Sequence, residues 1–491
     1  MSGERRQVGR IWKTTLLLAC LTAAAITLLA SPALAKKGAT AKKGSVAGRL
    51  DPSFGKGGKA TVAFPAEDAG DVGVKYNLPF QFAPGHLVMA PGPGGTIVVA
   101  GSTKIVEFLP NGKLNRGFGT GGSVTIERPS GMTFVLADVA VDSQGRVLIA
   151  GSARPQPAES TPDPLISSAA VMRFGADGSI DRGFGREGTL ITDFGMQPPA
   201  IGGGRYKGAA VGLRSLVVDS QDRPLLTGGS VAKVADCYTP ESAVSTAFVA
   251  RLTTSGGLDP SFGGGGLRQI ENLSTFEQGS LVPSGALFTV GLGRPRCGTE
   301  GGGPAVVLTS IDANGNLDPN FGFAGFRSVA YPRTPVVTVA PSGKIVLLGQ
   351  KKGKTQLVTR LLPDGALDPS FGRTGRIEIV LPKGGATAAV AVDRRGRLLF
   401  AGRVSRRVSK SEKNPVTRSS FLLGRMGTKG SFDRSFGRRG SVRTGFGGPS
   451  SSFATSVMLD GKDRILVGGQ LSNPRFATGG GFAIARYLGG R

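Results

Sequence analysis

One short pattern occurs seven times along the chain: an apolar residue, Asp (Asn in one copy), any residue, a small residue, Phe and Gly. Its copies start at Leu50, Leu114, Ile180, Leu258, Leu317, Leu367 and Phe432. A repeated unit of this length cannot bury its hydrophobic face by itself, so neighbouring units must pack against one another. The chain is therefore expected to form an array or a closed ring of similar units.

Phenylalanine and glycine are present in every copy, which predicts a structural role for both. The phenylalanine side chain is expected to pack between neighbouring sheets. The glycine is expected to supply a turn whose backbone conformation other residues do not adopt. These phenylalanines are Phe54, Phe118, Phe184, Phe262, Phe321, Phe371 and Phe436. The motif aspartates, predicted to cap turns, are Asp51, Asp181, Asp259, Asp318, Asp368 and Asp433. Their equivalent positions argue against a catalytic pair, which needs two particular carboxylates.

Three further apolar segments lie between successive motifs, and they show the composition of strands, most clearly at 137–141, 146–150 and 169–174. With the motif-bearing segment they give four strands per unit. Pairs such as Asn111-Gly112 and Asp364-Gly365 predict tight hairpin turns. Four antiparallel strands repeated at this period are typical of the blades of a β-propeller.

The two ends of the repeat region complement each other. The region begins with the motif-bearing fourth strand at Leu50 and stops after three strands of a unit, near 483–487. We expect residues 50–64 to complete the last blade, because ring closure leaves no unpaired sheet edge. The predicted fold for 50–491 is an all-β, seven-bladed propeller of four-stranded antiparallel blades.

At the level of motifs, the chain resembles the delta-60 type of β-propeller repeat from about residue 50 to the C-terminus. The resemblance is carried by Leu50-Asp51-Pro52-Ser53-Phe54-Gly55 and its copies, with Gly145-Arg146-Val147-Leu148-Ile149-Ala150-Gly151 as a second element. The chain departs from the pattern at Asn115 and at 282–285. The resemblance implies an exported bacterial propeller, and it implies no shared activity or set of catalytic residues.

The first 35 residues have the features of a secretory signal peptide. Four basic residues precede the apolar run 16–30, and Ala33-Leu34-Ala35 is a small-x-small cleavage site. We expect cleavage after Ala35, a basic flexible leader at 36–49 and a secreted or extracytoplasmic protein. The apolar run is shorter than the about 20 residues of a membrane span.

The chain is strongly basic. It contains 60 Lys and Arg against 33 Asp and Glu, a net charge of +27. The predicted signal peptide holds four basic residues and one acidic residue, so its removal leaves +24. A cationic surface attracts polyanions in a salt-sensitive way. For an exported protein the expected partners are anionic envelope polymers rather than nucleic acid, and a basic surface that serves only solubility is the alternative.

The sequence offers few residues for catalysis or metal binding. His86 is the only histidine, which argues against histidine-based triads and histidine metal clusters, and a solvated side chain is expected there. No segment has the spaced acidic residues of a calcium loop. We therefore predict no metal and no cofactor. The only tryptophan lies in the predicted signal peptide and five tyrosines are present, so binding by charge is favoured over aromatic stacking.

Two cysteines remain after signal cleavage, Cys237 and Cys297. An even number of cysteines in an oxidising compartment predicts a disulfide between them. Two free thiols are the alternative, because a disulfide requires Cα atoms close enough to bridge.

The long insertions of the repeat all fall on one face of the predicted propeller. That face holds the connections from strand two to strand three and from each blade to the next, whereas the hairpin turns lie on the other face. The insertions are 65–84, 153–168, 195–212, 231–246, 294–304 and 404–417. Insertions confined to one face mark it as the binding face. Its candidate anion- or partner-binding residues are Arg294, Arg296, Arg403, Arg406, Arg407, Lys410 and Lys413.

These features predict an exported, non-enzymatic, monomeric propeller that acts as a binding or scaffold module in the cell envelope or outside the cell. Its partner would be an anionic envelope polymer or another exported protein. The alternative is a carboxylate-dependent glycosidase or lyase on a propeller scaffold, since fold does not determine function. An enzyme of that kind requires a cluster of carboxylates, arginines or tyrosines at the channel mouth.

Overall fold

The seven repeats fold into seven four-stranded antiparallel sheets. The computed structural model describes residues 47–65, 87–128, 131–155, 167–196, 206–234, 244–270, 273–282, 284–293, 306–331, 335–408, 417–472 and 480–490. All of them belong to one compact unit, Ser45–Arg491. In these ranges the single helical segment is a 3-10 turn at Pro93–Gly95, and no helix is long and apolar enough to cross a membrane.

Each sheet is one blade, and equivalent strands recur from blade to blade. The first strands of blades one to seven are β2 (Val88–Pro91), β6 (Met132–Val141), β10 (Tyr206–Val218), β14 (Leu273–Leu281), β18 (Val336–Val339), β22 (Gly385–Val392) and β26 (Ser451–Leu459). The second strands are β3 (Ile97–Ala100), β7 (Val147–Pro155), β11 (Pro224–Val234), β15 (Leu287–Gly293), β19 (Ile345–Lys352), β23 (Leu398–Arg407) and β27 (Ile465–Ser472). The third strands are β4 (Lys104–Phe108), β8 (Ser168–Phe174), β12 (Val244–Arg251), β16 (Val306–Ile311), β20 (Thr355–Leu361), β24 (Thr417–Met426) and β28 (Gly480–Tyr487). The fourth strands are β5 (Ser123–Thr125), β9 (Thr189–Thr192), β13 (Leu267–Ile270), β17 (Phe326–Val329), β21 (Arg376–Val380), β25 (Ser441–Thr444) and, in blade seven, β1 (Lys59–Ala63).

The ring is closed by the N-terminal strand, as the sequence predicts. Strand β1 pairs antiparallel with β28, in a register that places Lys59 opposite Ala485 and Ala63 opposite Gly481. The first strand of every blade contacts the first strands of both neighbouring blades, including β26 with β2. The chain is therefore a seven-bladed β-propeller, with the first strands around its centre.

The hydrophobic core consists of seven clusters, one between each pair of neighbouring blades. Each cluster contains one motif phenylalanine, and all seven of these rings are at most 1% exposed. The second strands are apolar on both faces because each is covered by a blade on either side: all four residues of β3 are buried. The outermost strands alternate buried and exposed residues instead, as β21 does.

The motif itself lies ahead of the fourth strand rather than on it. The sequence prediction starts the last strand of the ring at Leu50, but Leu50 forms only an isolated bridge with Tyr487, and β1 begins at Lys59. The intervening residues are compact turns, in which the amide of Phe54 donates to the carbonyl of Asp51. The side chain of Asp51 accepts the amide of Ser53 at 3.0 Å, so the aspartate caps the turn.

The motif glycine connects each blade to the next. Its amide donates to a carbonyl of the following blade at 2.6–3.1 Å in all seven cases. In six of them the acceptor lies in the turn between the third and fourth strands, and in blade seven it is Ala47, which precedes the N-terminal strand. The donor and acceptor pairs are Gly55 and Asn111, Gly119 and Asp177, Gly185 and Ser255, Gly263 and Asn314, Gly322 and Asp364, Gly372 and Lys429, and Gly437 and Ala47. A Cβ on Gly55 would lie 2.1 Å from the carbonyl oxygen of Lys59, and its φ is +51°, so only glycine fits.

An arginine near the end of the third strand completes this contact in five blades. Its guanidinium stacks over the motif phenylalanine, with Cζ 4.4–4.7 Å from the ring centroid. Its Nε donates to the motif aspartate at 2.7–2.9 Å, and one terminal NH2 group donates to a carbonyl near the turn of the next blade. These arginines are Arg173, Arg251, Arg360, Arg425 and Arg486. We call the phenylalanine, glycine, aspartate and arginine together the motif contact.

Burial alone would raise the pKa of the motif aspartates, but serine hydrogen bonds and the charge of the nearby cations outweigh it. The pKa values of four of these carboxyls therefore lie below the ordinary value, at Asp51, Asp259, Asp368 and Asp433. Asp368 is the most completely paired of them: it accepts hydrogen bonds from Arg360 at 2.7 Å and from Lys344 at 2.9 Å.

Two blades lack the arginine and show which parts of the motif contact are indispensable. In blade one Glu107 takes its place and accepts a hydrogen bond from the side-chain amide of Asn115 at 2.5 Å. In blade four the position is Ser310, so Asp318 has no arginine at the end of its third strand. Both blades keep the buried phenylalanine and the glycine hydrogen bond.

Replacing Asp368 with Asn should destabilise the propeller by about 3 kcal/mol, because it leaves the buried Arg360 without its counter-charge. The matched control is Asp318→Asn in blade four, where no arginine pairs with the carboxylate, and it should cost less than about 1 kcal/mol. Denaturant unfolding of both variants and the parent measures the difference. Equal losses for the two substitutions would contradict an ion-pair role for Asp368.

Candidate functional site

The structure separates the predicted anion-binding residues into three groups. Arg406 and Arg407 are exposed at the end of β23, on the insertion-bearing face. Arg403 lies on the same strand, but its guanidinium is 5.1 Å from the centroid of the Phe453 ring of blade seven. The remaining predicted residues lie outside the described ranges, and so do the predicted disulfide and the single histidine: Arg294, Arg296, Lys410, Lys413, Cys237, Cys297 and His86.

Positive charge is concentrated in blade six. Residues 381–444 contain 16 Lys and Arg and three Asp and Glu, a net charge of +13. Residues 66–329, which span blades one to four, contain 20 Lys and Arg and 23 Asp and Glu, a net charge of −3. The basic character of the chain therefore belongs to one side of the ring, which solubility alone does not require.

A cleft on the insertion-bearing face of blade six gathers part of this charge. We call it the blade-six cleft; its volume is about 930 Å³. Its charged lining residues are Lys383, Arg406, Arg407, Arg418 and Arg443, and no described Asp or Glu lines it. Ser405, Ser419, Ser420, Ser450 and Phe446 also line it, and the hydroxyls of Ser405 and Ser419 are hydrogen-bonded to each other at 2.8 Å. Cations without carboxylates, together with hydroxyl donors, form a site for anionic groups.

The cleft brings like charges together at a cost in stability. Arg406 and Arg418 are direct partners across the β23–β24 pair, a placement that is unfavourable for two cations. In the part of the chain that the structure describes, no ion pair is formed by Arg406, Arg418 or Arg443. The fold does not offset the repulsion between these arginines, so a bound anion would reduce it.

Sequence reasoning found Arg406 and Arg407 because they flank an insertion, but it missed three of the cleft cations. Lys383, Arg418 and Arg443 belong to the β21–β22 connection, to β24 and to β25. Strand pairing joins them: Arg418 lies opposite Arg406, and Arg443 lies opposite Leu422 on β24. The signal present in the sequence was the density of Lys and Arg over 381–444.

Asp138 is a half-buried carboxyl on the first strand of blade two. It accepts the amides of Val139 at 2.9 Å and Leu216 at 3.0 Å, and the hydroxyl of Ser215 at 3.2 Å. Burial raises its pKa to about 6, against the opposing effect of these hydrogen bonds. Both strands carry a bulge here, so Asp138 links the irregular segments of two neighbouring first strands.

One further pair of charges lies on the first strands. The nearest atoms of Arg214 on β10 and Glu277 on β14 are 3.9 Å apart, and both side chains are partly buried. Each is the extra residue of a bulge. Within the described ranges no three His, Cys, Asp or Glu side chains are grouped as metal ligands.

The geometry defines the class of protein, a seven-bladed β-propeller with a cationic cleft, and comparison with known proteins agrees with the β-propeller fold. Residues 340–371, in blade five, match the family described as "Domain of unknown function (DUF5122) beta-propeller". No curated protein matches the chain.

Solved structures with a similar fold are distant. A protein of unknown function from Bacteroides caccae is 12% identical, with a TM-score of 0.30 over 60% of this chain and 85% of its own. A putative gluconolactonase is 12% identical, with a TM-score of 0.30 over 73% of this chain and 89% of its own. Polysaccharide lyase Uly1 is 9% identical, with a TM-score of 0.34 over 72% of this chain and 90% of its own.

The raised pKa of Asp138 predicts that it lowers stability as pH rises. Its folded pKa of about 6 lies above the ordinary value of 3.8, so the folded state binds more protons than the unfolded state between about pH 4 and pH 6. Stability is therefore lost across that window and does not return at higher pH. Asp138→Asn should remove this part of the pH dependence. It should also cost about 1–3 kcal/mol at every pH, because the amide keeps only one of the two oxygens that accept backbone amides. Unfolding midpoints across the window test it, and parallel curves for variant and parent would contradict it.

Proposed function

We propose that this chain is an exported, non-enzymatic β-propeller of the delta-60 repeat type that binds an anionic polymer of the cell envelope through the blade-six cleft. The observation that carries the proposal is the lining of that cleft, which combines five cations with serine hydroxyls and no carboxylate. Four of the five cations are arginines, whose planar fork suits carboxylate and phosphate groups.

The N-terminal sequence supports the export part of the proposal. Residues 1–35 have the order of a signal peptide, and 36–49 carry five further basic residues. Outside the cytoplasm the abundant polyanions are wall and surface polymers. Their repeated charges would gain from a surface that is basic over a whole blade, because each neutralised group releases counterions. The alternative partner is another exported protein with an acidic surface, and it is the one expected if polymers do not bind.

The catalytic alternative, a carboxylate-dependent glycosidase or lyase, has one observation in its favour. Asp138 lies on an innermost strand, and its pKa of about 6 suits a general acid. Three hydrogen bonds from the protein already use its carboxylate, which fits a structural link better. An enzyme would release reducing ends from an anionic polysaccharide and lose that activity on Asp138→Asn; a binding module would release none.

Reversing two charges in the cleft should abolish polymer binding. The variant carries Arg406→Glu and Arg418→Glu, which keeps a like-charge pair across β23–β24 and so preserves that feature of the fold. We expect at least a tenfold loss of affinity for isolated cell-envelope fragments, about 1.4 kcal/mol. The slope of binding against salt concentration should fall by about two, one for each lost cation.

The control carries Lys113→Glu and Arg116→Glu, which change the net charge equally but lie in blade one on the hairpin-turn face. Co-sedimentation of the parent, the cleft variant and the control across a salt series separates the effects. Equal losses in both variants would show attraction by net charge alone, and parent-like binding by the cleft variant would refute the cleft.

A further inference from the structure

A second basic cleft lies at the outer strands of blade six. Its volume is about 1040 Å³, and we call it the wall groove. Its charged lining residues are Arg49, Arg438, Arg439 and Arg443, and no described Asp or Glu lines it. Arg443 lines the blade-six cleft as well, so the two clefts meet at that side chain.

The corresponding groove in blade two shows that the composition, not the shape, is particular to blade six. It has a volume of about 700 Å³ and is lined by Ile180 and Glu187 where the motif copies of blade six have Phe432 and Arg439. Its charges have both signs, and Arg182 pairs with Glu187 at 3.4 Å. The repeat thus builds a similar outer groove in blades two and six, and of these two grooves it is the one in blade six whose described charges are all positive.

Phe432 adds an aromatic surface to these arginines. The other six motif copies begin with Leu or Ile, and a phenylalanine stands here alone. Its ring packs edge-on against Phe400, with centroids 6.1 Å apart, and the residue remains 38% exposed. Beside it Val380 is 70% exposed. The wall groove therefore has an apolar, partly aromatic floor with cations around it. A site that bound its ligand by charge alone would not require that floor.

Arg439 occupies a backbone conformation that suits glycine better. Its φ is +53°, and the equivalent residues of three other copies are Gly57, Gly121 and Gly265. A Cβ at any of those three glycines would meet no atom within 4 Å. In two further copies Glu187 and Ala324 adopt the same conformation, each with a φ of +51°. A side chain is therefore tolerated here with mild strain, and in blade six that side chain is a cation.

We propose that the wall groove binds an acidic polysaccharide, with a sugar ring packed on Phe432 and its carboxylates held by Arg438, Arg439 and Arg443. The apolar face of a sugar ring matches an aromatic side chain, and the guanidinium fork matches a carboxylate. This inference rests on the proposed function for its class of ligand and assigns a second site and a sugar chemistry to it.

Because Arg443 lines both clefts, the affinity of a ligand should depend on its length. Strand β25 carries Ser441 in the wall groove and Arg443 in both clefts, and the three steps of about 3.3 Å between its four residues span roughly 10 Å. A single sugar acid fills one cleft only, whereas an oligomer reaches both. Affinity should therefore rise steeply with chain length once the ligand occupies both sites, because the second contact is intramolecular.

Two substitutions test the site while copying what other blades already contain. Phe432→Leu restores the residue that begins five of the other copies, and Arg439→Gly restores the glycine of three. The probes are an oligogalacturonate, which has sugar rings and carboxylates, and inorganic polyphosphate, which has charge but no rings. We expect Phe432→Leu to weaken oligogalacturonate binding several-fold, up to about tenfold, and to leave polyphosphate binding unchanged. Arg439→Gly should weaken both and lower the salt slope by about one.

The outcomes distinguish this inference from the proposed function. If Phe432→Leu binds both probes as the parent does, the sugar contact is wrong; if polyphosphate alone binds, the ligand is a phosphate polymer and the assignment to a polysaccharide is overturned. Loss in the Arg406→Glu, Arg418→Glu variant without any loss in the wall-groove variants would refute the second site and leave the blade-six cleft intact. Parent-like binding by all variants would refute both.

Discussion

The hydrogen bond from the motif glycine to the next blade is the interaction on which the ring depends. It is present at all seven blade junctions, and it places the buried phenylalanine against the turn of the neighbouring blade. The turn glycine of that neighbour completes the fit: a Cβ at Gly112 would lie 2.8 Å from the amide of Gly55 and 2.9 Å from the ring of Phe54. No blade can make this contact alone, so the geometry of one junction requires the presence of the next unit.

The arginine of the motif contact is additional rather than necessary. Blade one replaces it with Glu107 and blade four with Ser310, yet both junctions keep the phenylalanine and the glycine hydrogen bond. In blade one the change is paired, since Asn115 stands where other copies have Asp and donates to Glu107. A buried carboxylate facing a second carboxylate would be costly, and the amide avoids it. The departure at Asn115 that is visible in the sequence is thus explained by a partner eight residues earlier.

The fold could be predicted closely from the sequence because its determinants repeat. Seven copies of Phe-Gly, with hairpin turns between them, were enough for the blade number and for closure by the N-terminal strand. The strand boundary at Lys59 was missed because the sequence does not distinguish an apolar residue in an isolated bridge, such as Leu50, from one in a strand. The stacked arginines were missed for another reason. Four of them act on an aspartate eight residues later, Arg486 acts on Asp51 at the other end of the chain, and all five act on a carbonyl of the next blade, so only the folded ring brings the three groups together.

The fold is determined by residues that repeat in every blade, whereas the two clefts are formed by residues that do not repeat. A propeller whose junctions are held by internal contacts leaves its outer strands and connections free to vary, and blade six uses that freedom to collect charge. Like charges within about 8 Å of one another repel even at physiological salt, and the opposed Arg406 and Arg418 add to that cost. Arg406 and Arg418 are exposed and belong to none of the buried clusters, so their repulsion acts on the surface of the blade. A surface whose cations oppose one another in the free protein gains the most from a ligand that brings negative charge to all of them at once, which is why a polymer suits it better than a single anion.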